Sequence, residues 1–109
     1  MIDLINELNE LTMRLPRSIE QLRQYGKERA QAEHDYKIIL RQEALKLRAE
    51  GMAVTLIDKV VYGIPEVAEK RLQRDIAETM YKASLEQINT LKLKMRIVDA
   101  QINREWNNG

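Results

Sequence analysis

The chain of 109 residues has no cysteine, no phenylalanine, one histidine, one tryptophan and two prolines. Each shortage excludes something. Without cysteine there is no disulfide framework and no thiolate metal site, a usage that fits a reducing compartment. With four tyrosines and one tryptophan as the only aromatics, the core must come from Leu, Ile, Val, Met and Ala. No apolar run approaches the roughly 18 residues that cross a bilayer. The first residues also lack the basic-then-apolar pattern of a signal peptide, so the expected setting is the cytoplasm, away from membranes. Charge of one sign is missing too: 18 basic and 17 acidic residues leave a net +1, too little to draw the whole molecule onto nucleic acid or anionic lipid.

What is present is helical patterning. Leu4, Leu8, Leu11 and Leu15 form one helix face, widened by Ile5, which predicts a helix over about 2–15. Pro16 lacks an amide and restricts its predecessor, so the helix is expected to end or kink there. Ser18 and Gln21, at capping-box spacing, should start a second, long helix over about 18–50. From Pro65 to about Trp106 a third helix carries Ala77, Tyr81, Ser84, Ile88, Leu91, Met95, Val98 and Ile102, alternately four and three residues apart over nearly four heptads. Trp106 should staple its end, and Asn107 to Gly109 should fray.

Between the long helices lies EGMAVTLIDKVVYGIPE, residues 50–66, with two of the four glycines and the densest β-branched run. Gly51 suits the left-handed position after a helix end. Thr55 and Asp58 have capping-box spacing, and a lone strand would have no partner elsewhere, so a short helix is expected within a turn over about 51–64. Val54, Leu56, Ile57, Val60 and Val61 then either cap the open end of a helical hairpin or dock a partner.

The fold expected is all-α: one domain, a long antiparallel hairpin resembling a coiled coil, with short helices at the N-terminus and the turn. If Glu50 faces Pro65, residues whose numbers sum to about 115 are level, setting Leu22 near Leu93. Two helices make a thin core, so Ile76, Met80, Ala83, Ile88, Leu91, Met95, Val98 and Ile102 are candidates for a seam of a homodimer or higher homo-oligomer.

No chemistry-bearing constellation accompanies this pattern. His34 is flanked by Glu33 and Asp35, but sequence neighbours point to different helix faces, and Gln31 stands where a di-metal bundle would have Glu. There is no phosphate-binding glycine loop, and Ser18 and Ser84 lack a triad context. The expectation is a non-enzymatic protein with no catalytic, cofactor or metal residues. Lys70, Arg71, Arg74, Lys92, Lys94 and Arg96 are candidate phosphate contacts, but neighbouring carboxylates and missing interleaved aromatics disfavour nucleic acid.

The stretch from YKIILRQEALKLRAEGMAVTLIDKVVYGIPEVAEK to TLKLKMRIVDAQINREW, residues 36–106, resembles small helical proteins encoded by temperate phages of Gram-positive bacteria. That resemblance implies a phage or prophage origin, a host-cytoplasmic setting and a role beside replication, recombination or host takeover. It carries over no catalytic residues. The function expected is a helical adaptor or modulator of an unidentified protein partner, with an accessory nucleic-acid-binding protein as the alternative.

Overall fold

The computed structural model describes residues 1–108. It is all-α: α1 (Ile2–Ala49), α2 (Val54–Val60), a 3-10 turn (Val61–Gly63) and α3 (Pro65–Asn108), with no strand among the described residues. Intrachain contacts divide it into two compact units. One joins Met1–Tyr25 to the chain from Tyr81 onward, and the other is Gly26–Met80.

α1 is continuous, which overturns the break expected at Pro16. The proline stands inside the helix, so the separate helices over 2–15 and 18–50 are one element. The reason is the side on which the missing hydrogen bond falls. Thr12, whose carbonyl would accept from residue 16, and Pro16 are both exposed, so water can reach the freed oxygen. On the opposite side Leu4, Leu8, Leu11 and Leu15 are buried or half-buried, and half-buried Ser18 and Leu22 continue the spacing. The apolar stripe thus keeps its phase through the proline, and packing holds the helix together where local propensity would end it. Ser18 consequently caps nothing.

In the first unit α1 and α3 run antiparallel. Leu11, Leu91 and Val98 are buried, with Leu4, Leu8, Leu15, Met95 and Ile102 packed around them. Each such apolar side chain, fully buried, contributes roughly 1.5–3 kcal/mol. The amine of Met1 lies 3.3 Å from Glu105. In the second unit the same helices are tied by Arg29–Glu78 and Arg74–Glu33, each 3.7 Å apart. Paired residue numbers sum to 106 or 107 in these ion pairs. The expected 115 is therefore wrong by about two helical turns, ~12 Å along the axis. Leu93 is accordingly exposed and does not pack beside Leu22.

The turn explains the offset. α1 ends in a Schellman arrangement: the Met52 amide donates to the Leu47 carbonyl at 3.1 Å and the Gly51 amide to that of Arg48 at 3.0 Å. Gly51 has a φ of 94°, the one positive value among the described residues, as expected of a residue just past a helix end. The chain then doubles back, so that Val54, Ile57 and Asp58 share a shallow depression with Arg41, Ala44, Leu45 and Arg48 of α1. α1 therefore projects about seven residues past the level of Pro65. α2 begins one residue before Thr55: Ala53 is its N-cap, with no side-chain cap bond, so the Thr55–Asp58 box is not formed. Pro65 opens α3 as expected, and the helix continues through Asn107 and Asn108. Gly109 lies outside the described residues.

Candidate interaction surface

The seam of α3 is buried as its spacing requires. Ser84, Ile88, Leu91 and Val98 are buried and Ala77, Tyr81, Met95 and Ile102 half-buried, all within a single chain. Five of the eight candidate oligomer positions, Ile88, Leu91, Met95, Val98 and Ile102, are thus occupied by intrachain packing. Only Ile76, Met80 and Ala83 of that set are exposed, because they lie off the alternating four-three stripe.

Within the Gly26–Met80 unit the seam turns polar. Arg74 stands at a stripe position, its guanidinium 4.4 Å from the centroid of the buried Tyr36 ring, and donates to Asp75 Oδ1 at 2.9 and 3.1 Å. Glu33 lies 3.7 Å away on α1, and Arg29 pairs with Glu78 at the same distance. The Asp75 hydrogen bond chiefly raises the Arg74 pKa above the ordinary guanidinium value; partial desolvation opposes this, and the charges of Asp75 and Glu33 add to it. A cation held flat on an aromatic ring and tied to a neighbouring helix fixes register, since sliding either helix by a turn separates both ion pairs.

This arrangement also decides most of the candidate phosphate contacts. Arg74 is engaged, Arg71 lies 5.5 Å from the Tyr62 ring centroid, and Lys70 contacts Gln73 at 3.5 Å. Lys92 and Arg96 are exposed on one face of α3, while Lys94 lies on another beside Glu7, Glu10 and Arg14. The six do not form one basic strip. His34 is exposed, and no group of three or more metal-ligating side chains occurs among the described residues. No described helix is long and apolar enough to cross a membrane.

The five turn residues separate by helical phase. Ile57 and Val61, four apart, are buried, and Val67 is fully buried. Val54, Leu56 and Val60 are instead 59, 48 and 38% exposed, and Tyr62 is exposed beside them in sequence. One half of the cluster therefore closes the turn and the other faces water. The depression between α2 and α1 sets Ala44, Leu45, Val54 and Ile57 between Arg41 and Arg48 on one helix and Asp58 on the other.

Several exposed apolar residues have no role in the pattern read from the sequence: Leu45 on α1, and Leu72 and Ile97 on α3, while Leu93, expected level with Leu22, is exposed as well. For the residues of α3 the signal lies in the sequence, where Leu72, Ile76, Thr79, Ala83, Glu86, Thr90, Leu93 and Ile97 follow a second four-three pattern beside the buried one. Trp106 is 76% exposed and staples nothing in its own chain.

Comparison with protein-family models, with curated proteins and with solved structures returned no match.

Proposed function

We propose that this protein is a non-enzymatic helical interaction protein that docks another protein through the outer side of its turn. The observation that carries the reading is α2: of its seven residues one is buried, while Val54, Leu56 and Val60 present large apolar side chains to water. Such exposure on so short an element costs solubility unless it is covered in use. The depression beside it, apolar between Arg41 and Arg48 on α1 and Asp58 on α2, suits a partner segment that offers an apolar side chain flanked by charges of both signs. The resemblance to temperate-phage proteins adds the reading of a phage-encoded adaptor or modulator, testable by the genes that flank this one.

The experiment compares Leu56→Asp and Val60→Asp with the parent chain. Both variants should keep the parent's helical circular dichroism and its melting temperature within a few degrees. Both should lose a partner protein that the parent retains in high salt. A variant that still holds the partner would refute docking at this face. Ile57→Asp serves as the contrast, because a charge at a buried apolar position should unfold the turn. The alternative, an accessory nucleic-acid-binding protein, predicts salt-sensitive retention on DNA that Lys92→Ala and Arg96→Ala weaken.

A further inference from the structure

Within the Gly26–Met80 unit α1 carries two stripes, and only one of them meets another helix. The seam brings Arg29, Glu33 and Tyr36 to α3. On the far side of the helix Lys27, Gln31, His34, Ile38, Arg41, Leu45 and Arg48 stand alternately four and three residues apart, and all are exposed. This outer stripe runs for about 32 Å and holds no carboxylate. Lys27, Arg41 and Arg48 supply cations, and Ile38 and Leu45, 43 and 51% exposed, are set among them.

The pairing of charges on this part of α1 follows its faces. Arg29, Lys37 and Lys46, off the stripe, pair with Glu78, Glu33 and Glu43 at 3.7, 3.5 and 3.1 Å. Lys27, Arg41 and Arg48, on the stripe, have no ion pair among the described residues. The flanks do not reverse its sign: Glu28 and Asp35 lie along one edge and Lys37 along the other, and Asp35 already accepts from Gln31 at 2.8 Å. Asp58 of α2 stands across the depression that Arg41, Leu45 and Arg48 line.

Apolar side chains set between cations ask for a matching alternation opposite them. The aliphatic stems of Lys and Arg can lie along an apolar side chain while their heads reach a carboxylate. A nucleic-acid backbone would neutralise the cations but leave Ile38 and Leu45 in water, and the stripe has no aromatic ring for a base. A second copy laid on the same stripe brings no carboxylate, so in every register its cations meet cations or apolar groups.

We infer that the outer stripe of α1, from Lys27 to Arg48, binds an acidic amphipathic helix of another protein, one whose apolar residues alternate with Glu or Asp at four-three spacing. Its apolar side chains pack on Ile38 and Leu45, and its carboxylates pair with Lys27, Arg41 and Arg48. One end of that helix enters the depression beside α2, where a basic residue suits Asp58. The inference extends the docking proposed at the turn to a second set of residues and does not depend on Leu56 or Val60.

The test uses the full chain and a fluorescent synthetic peptide of about 24 residues, long enough for the stripe, with Leu and Glu alternating along one helical face and Ala and Gln elsewhere. Its anisotropy should rise on titration with the parent chain at micromolar concentration. Lys27→Glu, Arg41→Glu and Ile38→Ser should each weaken binding by about fivefold or more with the parent's circular dichroism retained. Lys46→Glu, the same charge change on another face of α1, should leave it unchanged, as should Leu56→Asp. Lys27 and Ile38 lie outside the depression, so they decide the matter even if Arg41→Glu disturbs the turn. Equal binding of a control peptide with Gln in place of Leu, or tighter binding of duplex DNA with no effect of Ile38→Ser, would overturn the inference in favour of a polyanion. No binding of the Leu–Glu peptide, or binding indifferent to Lys27→Glu and Ile38→Ser, would overturn it as well. Peptide binding lost in Leu56→Asp alone would overturn the stripe and keep the turn. A partner protein lost in Lys27→Glu but retained in Leu56→Asp would refute docking at the turn and keep the stripe.

Discussion

Pro16→Ala should stabilise this protein, because its proline lies inside a helix that continues past it. Proline is about 3 kcal/mol less favourable than alanine in a helix interior, through a lost hydrogen bond and a clash with the preceding turn. At this position part of that penalty is already relieved: Thr12, whose carbonyl loses its donor, is exposed to water. The lower bound is then the net value of one backbone hydrogen bond, about 1 kcal/mol. The stripe of Leu8, Leu11, Leu15, Ser18 and Leu22 faces the other way, so the added amide disturbs no core contact. A gain of about 1–3 kcal/mol should raise the melting temperature by roughly 4–8 °C for each kcal/mol. Thermal melts followed by circular dichroism at matched protein concentration, with urea titrations to supply the free energy, measure it. A melting temperature lowered by the substitution would refute the reasoning, because it would mean that the fold needs the proline to bend α1.

Two further substitutions probe the seam. Ser84 is buried, and its hydroxyl has no hydrogen-bond partner among the described residues, so Ser84→Ala should raise the urea midpoint by the equivalent of about 1 kcal/mol; a fall would reveal a bridging water. Arg74→Met keeps apolar bulk over Tyr36 but removes the cation, and should cost about 1 kcal/mol in urea unfolding, since Glu33 is exposed enough to be solvated without its partner. The raised Arg74 pKa means its stabilising charge is fully present below the ordinary guanidinium value and lost only above the raised one. The loss in Arg74→Met, compared at pH 7 and pH 9, should therefore be unchanged, and a loss that disappears at pH 9 would contradict the ion-pair account.

The features legible in the sequence were those carried by periodicity. The alternating spacing from Ala77 to Ile102 named the buried stripe of α3, and Gly51 named the end of α1, because a left-handed residue at that place admits few alternatives. The break at Pro16 misled because a local rule was weighed without the stripe around it, whose phase runs unbroken from Leu15 through Ser18 to Leu22. The second stripe of α3 was equally visible, but its first half was merged with the buried seam. As a result Ile76, Met80 and Ala83 were grouped with Ile88 and Leu91, which face the opposite way.

Heptad spacing by itself determined that the chain is all-α, that its long helices pair along one stripe each, and which residues of α3 are buried, because the helical repeat assigns side chains to faces before any partner is specified. The register of the pairing, the doubling-back of α2 along α1, and the split of the turn cluster into buried Ile57 and Val61 and exposed Val54, Leu56 and Val60 came only from the tertiary structure. A repeating stripe fits its neighbour nearly as well two turns away. Only the closing of the turn and the Arg74–Glu33 and Arg29–Glu78 pairs choose among those alignments.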